Sequence, residues 1–396
     1  MFQGLLYSET KFLAIFTYIV ILLFFTGCSE QMDAVGDEPV IQINMKDVVG
    51  AYDMTPIISA DFLIIPLETN KNCLIGRIDK LEIKDGHIYI SDDLAKSVFI
   101  FDMDGKMIDK IHAYGNGPGE YQAISTMTVT DSTIIVLDVT KRRQIEYSLS
   151  GKLIKEDSKI LNKVWAWDVF FYQGLLYYVN NWGVVRAGRY NLFSAPLSLD
   201  KIDTYLPFKE PPICLDIHGP RYTKYPDGFS VIFSGVDAIF GQMHEGQIER
   251  KYTVDFMGKK VKYKSKIVSK VQDENSPGMI IGINKIFETE RYLFLELSRV
   301  KKVYLFCIYD KQDETTTLIE GGNLTHDSLG YLFTSFERIT DNKIVRSIEA
   351  HVFLDMYKFF WSVNEAPDPN VNTRLEKVYS QLKEEDNPVL IISNLK

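Results

Sequence analysis

Histidine, cysteine and positive charge are scarce in this sequence, and each shortage excludes something. The six histidines, His87, His112, His218, His244, His326 and His351, form no HxH or HExxH pattern, so no linear metalloprotease signature is present. No GxSxG stretch marks a serine-hydrolase elbow. The four cysteines, Cys28, Cys73, Cys214 and Cys307, include no CxxC pair, which argues against a structural zinc site. Cys28 aside, the remaining three are odd in number and far apart, unlike a disulfide framework. They are expected to be buried as small apolar groups. The formal net charge of −9 argues against nucleic acid as a partner, because phosphate neutralisation needs a basic surface. No cofactor or metal motif is visible, and none is expected. Helical periodicity is also rare. Asn372 to Glu385 carries Leu375, Val378, Tyr379 and Leu382 on one face, the clearest such stretch.

Long apolar runs are missing too, with one exception near the start. Phe12 to Phe25 is 14 residues without a charge, preceded by Lys11. A membrane-spanning helix needs about 20 apolar residues, whereas a shorter run after a positive charge is the core of a signal peptide. The following Phe25-Thr26-Gly27-Cys28 looks like a lipobox, with Phe25 where an aliphatic residue is usual. Residues 1–27 are therefore expected to be a lipoprotein signal peptide. Cys28 is expected to carry the lipid that anchors the protein to the membrane, and 28–55 to be a flexible tether. The acidic stretch from Ser29 to Glu38 resembles the export signal of surface-displayed lipoproteins of the Bacteroidota. The outer membrane is the expected location, with the surface favoured and the periplasmic face open.

What the chain does have is aromatic residues, 22 Tyr and 24 Phe, which favour strands, and an internal repeat. Residues 86–108 and 132–154 align at a spacing of 46: Ile88 with Ile134, Asp92 with Asp138, Gly105 with Gly151, Lys106 with Lys152, Ile108 with Ile154. In each unit a β-rich run ends at Asp, and a second alternating run ends at a hairpin signal, Asp104-Gly105 or Ser150-Gly151. Several short strands per unit of this length match one blade of a β-propeller. The strand-like stretches Ser59–Leu67 and Asn387–Ile392 are expected to pair within one blade and close the ring, which removes exposed sheet edges.

Ile64-Ile65-Pro66-Leu67-Glu68-Thr69, Ile75-Gly76, the first repeat and the loop Gly115-Asn116-Gly117-Pro118-Gly119-Glu120-Tyr121 together resemble the six-bladed β-propeller lipoproteins of Bacteroidota, which are similar to NHL-repeat propellers. The resemblance implies an all-β fold over 56–396. It implies six four-stranded blades, with a short helix before the closing strand; seven plainer blades stay open. It supplies architecture and location but no reaction.

Local motifs have plain readings beside their chemical ones. The glycine loop at 115–121 is followed by a strand entry rather than by a helix and a Lys, so it is expected to be a turn between blades. Asp102-Met103-Asp104-Gly105 opens like a calcium loop but lacks its later ligands, which favours a hairpin. Trp165, Trp167 and Trp182 fall within 18 residues, among many other aromatics up to Phe193. Such faces stack on sugar rings and anchor interfaces, and they also pack between blades; the three tryptophans are the candidate ligand contacts. The preferred function is a cell-envelope binding or scaffold module for glycans or protein partners. The alternative is a metal-dependent hydrolase or lyase working in the central channel.

Overall fold

Strands of this chain carry apolar side chains on both faces, and the architecture follows from where those faces go. The computed structural model describes residues 37–212, 221–242, 247–262, 270, 275–321, 323–333, 336–340, 342–364 and 368–396. The expected signal peptide 1–27, Cys28 and Cys214 lie outside the described residues. In Thr133–Asp138, Ile134 and Val136 pack with Tyr89, Val98 and Ile100 of the preceding repeat. The alternate residues Ile135 and Leu137 pack the other way, against Val169, Leu176 and Tyr178. Period-two alternation thus fills two interfaces from one strand. A sheet that is apolar on both sides has to be sandwiched between neighbours, and a closed ring of blades provides that.

Six blades make up the ring. The two repeats found in the sequence are the first two, Lys80–Ile111 and Thr126–Asp157, each four antiparallel strands in sequence order. The shared Asp has the same task in both. Asp92 accepts the backbone N–H groups of Gly76, Arg77 and Ala95. Asp138 accepts those of Gln122, Ala123 and Lys141. Each carboxylate therefore ties the loop entering its blade to the turn after its second strand. Burial alone would raise the Asp138 carboxyl; the bonds from Thr140 and the backbone outweigh it and hold it below the usual range. Gly105 has φ +83°, and a Cβ there would lie 2.2 Å from the Pro66 carbonyl oxygen, so this hairpin needs glycine.

The last blade closes the ring. Its strands run Arg338–Thr340, Lys343–Ile348, Val389–Leu395 and Ile58–Pro66 from channel to rim. The two terminal segments pair antiparallel, Ile65 opposite Leu390 and Leu63 opposite Ile392. Between its second and third strands this blade carries the helices Ala350–Met356, continued by a wider turn to Trp361, and Pro369–Gln381. The second helix begins three residues before the expected Asn372, because Asp368 caps it by accepting the Asn370 N–H and Pro369 occupies its first turn. Cys73 and Cys307 are buried, as expected, and burial pushes their thiols up to about 11 and about 12. No helix among the described residues is long and apolar enough to cross a membrane.

The stretch assigned to a tether differs from expectation at its C-terminal end. Val40–Gln42 runs parallel to the outer strand of the fourth blade, Val40 opposite Thr253. Val48–Val49 does the same on the fifth blade, and Tyr52–Asp53 joins Leu324–His326. Ile41 and Ile43 are fully buried against Val254 and Phe256. The segment is a strap over two rims, held because its alternating isoleucines cover apolar edge surface and its backbone satisfies edge donors and acceptors. Ile41→Ala is expected to cost about 2–4 kcal/mol, read as a lowered denaturant midpoint; a free tether would show no change.

Candidate functional site

The innermost strands, Lys80–Lys84, Thr126–Val129, Asp168–Tyr172, Tyr222–Tyr225, Ile280–Glu288 and Arg338–Thr340, surround a central channel. Alternation puts Lys80, Glu82 and Lys84 on one face of the first of these. Lys80 Nζ donates to Asp168 Oδ1 (2.7 Å), the Val169 carbonyl (2.6 Å) and Thr126 Oγ1 (3.3 Å). Glu82 accepts from Tyr222 OH and from the Val129 N–H, each at 3.3 Å. Three cations face its carboxylate from 3.8–3.9 Å: Lys80, Arg338 and Lys224. The Tyr222 ring is stacked on Phe170 with centroids 4.3 Å apart. Its OH accepts from Arg338 Nη2 at 3.1 Å.

Burial would raise the Glu82 carboxyl, but Lys224, Arg338 and Lys80 outweigh it and hold the group down at about 2. Lys224 goes the opposite way. Burial lowers it, the attraction of Glu82 restores only part, and Arg338 and Lys80 repel it, which leaves it at about 8. This charged layer separates two cavities. A larger one of ≈580 Å³ lies where the inner strands begin, lined by Lys80, Thr126, Trp167, Asp168, Arg221 and Tyr222 among others. A smaller one of ≈370 Å³ lies where they end, lined by Glu82, Lys84, Tyr172, Lys224 and Tyr225. Arg338 lines both.

The family model described as a domain of unknown function, DUF4934, matches residues 49–394. The chain belongs to the DUF4934 family. Among solved structures it is similar to a candidate exported protein of Bacteroides fragilis NCTC 9343, with 16% identity over 90% of this chain and 99% of that one, TM-score 0.66. At that identity the likeness shows the fold alone. A member of the DUF4221 family from Bacteroides vulgatus matches with 13% identity over 86% of this chain and 97% of that one, TM-score 0.47. No curated protein sequence matches the chain.

Within this DUF4934 fold the three candidate tryptophans part company. Trp167 stands at the rim of the larger cavity and is 47% exposed. Trp165, two residues earlier, is 37% exposed but is not among the residues lining that cavity. Trp182 is half-buried; its indole N–H donates to the Ser234 carbonyl (2.7 Å) and its ring meets Phe208 edge-on. That side chain fastens the third blade to the fourth. Phe170, Tyr177, Tyr178 and Phe193 are buried as inter-blade packing. The glycine loop is the expected turn between blades. Gly119 has φ +74°, and Arg143 holds the loop through the carbonyls of Asn116, Gly117 and Glu120.

A second buried set, Ser230, Lys251, Tyr225 and Glu288, has the residue types of a nucleophile and its base. Lys251 Nζ donates to all three others at 2.6–2.9 Å, and Ser230 is fully buried and donates to Glu288. Every group is used internally, so the set joins two blades. The charged layer was missed in the sequence, where Lys80-Leu81-Glu82-Ile83-Lys84 has the pattern of a strand facing solvent. Glu82→Gln is expected to destabilise the fold by about 3–5 kcal/mol, because it leaves buried cations uncompensated. The native carboxyl lies below its unfolded value, so its contribution is complete above about pH 4.5 and is lost as pH falls towards 2. Between about pH 4.5 and 2 the melting temperature should fall less steeply with pH for Glu82→Gln than for the wild type.

Proposed function

We propose that this protein is a non-enzymatic binding module of the cell envelope, and that its larger channel mouth takes a neutral or mixed-charge polar ligand of the sugar type. The observation that carries this reading is Trp167. It is a large indole, about half exposed, at the rim of a ≈580 Å³ cavity whose walls mix charged and polar side chains with apolar ones such as Ile78, Leu81 and Ile124. An aromatic platform beside hydrogen-bonding side chains suits a sugar ring, which has an apolar face and a polar edge. The cavity volume falls within the range of small-ligand sites.

The carboxylates of this mouth support binding over metal chemistry. Asp79 accepts from Arg77 (2.5 Å) and the Asp93 N–H (2.6 Å). Asp93 accepts from Lys96 and the Ile124 N–H. Asp168 is held by Lys80, and Glu337 accepts from Ser347. Asp79 and Asp93 lie together in the first blade, Asp168 and Glu337 in two others, each with its own donor, and among the described residues no three acidic, His or Cys groups gather as a metal set would. Trp167→Ala should weaken glycan binding at least tenfold, with an unchanged melting temperature, in array and calorimetric titrations. Equal binding by wild type and variant would move the site elsewhere.

Anchoring at Cys28 belongs to the same reading. The apolar run before it, the lipobox-like Phe25–Cys28 and the exported character of the Bacteroides fragilis relative support an envelope location. The surface is favoured over the periplasmic face by the acidic residues after Cys28. Cys28→Ala should move the protein from the membrane fraction to the soluble fraction or stall its processing. Undiminished membrane association of the variant would instead indicate an uncleaved signal anchor.

A further inference from the structure

The channel charges do not balance evenly, and the imbalance sits at the smaller mouth. Lys80 is matched by Asp168 at 2.7 Å. Lys84 is matched by Asp131 at 2.5 Å. Lys251 and Lys311 share Glu288 with further acceptors around them. Glu82 is left to serve both Lys224 and Arg338. It does so from 3.9 and 3.8 Å, too far for a hydrogen bond. Among the described residues, Lys224 Nζ has one hydrogen-bond acceptor, the Phe171 carbonyl at 3.1 Å. Arg338 likewise has one, Tyr222 OH. The ammonium carries three N–H donors and the guanidinium five. Two cations, one distant carboxylate and several unused donors therefore line the same ≈370 Å³ cavity.

We propose that the smaller channel mouth is a second binding site, for a compact anion bearing a carboxylate or phosphate group, seated between Lys224 and Arg338. The guanidinium fork of Arg338 suits two oxygens of one such group. Lys224 adds a point charge, and Tyr172 and Tyr225 wall the cavity around the remainder of the ligand. The volume admits a ligand about the size of one sugar acid, at the lower end of small-molecule sites. The anion would supply the negative charge that Glu82 cannot give twice over. The depressed Lys224 ammonium fits this picture, since it is a cation short of partners. Binding favours its protonated form, so affinity should fall as pH rises through about 8 and Lys224 should titrate higher once the anion is bound. This site shares Arg338 with the Trp167 mouth, but Lys224 lines the smaller cavity and Trp167 only the larger.

Calorimetric titration of the full mature chain with inorganic phosphate and, separately, with glucuronate tests the proposal. Saturable binding of either probe is expected near pH 6.5, weakened at least about tenfold near pH 9.5, where Lys224 is mostly neutral. Preference for phosphate or for glucuronate identifies the source of the anion. Lys224→Gln should lose at least tenfold in affinity. The variant should still fold, because it removes a surplus buried charge. Lys224→Arg should retain binding and lose most of the pH dependence, and Trp167→Ala should leave the titration unchanged. Absence of saturable binding by both probes, or equal affinity in Lys224→Gln, overturns the proposal. Either result is readable whether or not the Trp167 mouth binds glycans.

Discussion

Pairing between the two ends of the described chain is the constraint on which the rest depends. Ile58–Pro66 supplies the outer strand of the last blade, and residues 338–395 supply the other three. Without that pairing the first and last blades would each present an apolar face to water. Leu81, Ile88, Ile90, Phe99 and Phe101 of the first blade pack on Ile65, Val345, Leu390 and Ile392 of the last. The hydrophobic effect closes the ring and backbone hydrogen bonds fix its register. The channel is the residue of that closure, the space left where six inner strands converge.

Polar side chains fill that space because the converging strands leave no sheet to cover it. Buried charges are tolerated only when matched and hydrogen-bonded. Lys80, Asp168 and Thr126 meet that condition closely, whereas Glu82, Lys224 and Arg338 meet it loosely. The difference sorts the channel into a structural part and a part with interaction capacity to spare. The buried set around Lys251 belongs to the first kind, although by residue type alone it looks the more reactive of the two.

Much of the ring was legible in the sequence, and the reason is local. The first two blades have short turns with fixed chemistry, so Asp92 and Asp138, Gly105 and Gly151 recur at one spacing. The two closing strands stood out as apolar runs at opposite ends. Later blades were harder because insertions break the spacing, above all the helices between Ile348 and Val389 in the last blade. The strap went unseen because strands of two or three residues carry too little pattern. The site was mostly hidden. Its charges come one or two at a time from different strands, and a channel-facing Lys80 or Glu82 alternates with apolar neighbours just as a solvent-facing one would. The tryptophan cluster drew attention by density, but density does not say which face a ring occupies. Trp167 precedes its strand and projects at the mouth; Phe170 lies within it and is buried.

The strap also bears on the order in which the fold can be assembled. Val40–Gln42 pairs with residues 253–255, Val48–Val49 with 318–319, Tyr52–Asp53 with 324–325, and Ile58–Pro66 with the final strand. Each of these described strands before Lys80 therefore waits for a partner made much later, and Ile58–Pro66 waits for Val389–Leu395. Such long-range pairing slows folding, because loop-closure entropy is lost before the contacts repay it. The first two blades can form their own hairpins as they emerge, but the segments before them cannot. While synthesis is under way, the N-terminal region is an unpaired strand donor, and its alternating isoleucines stay available to chaperones or to neighbouring chains until the ring is complete.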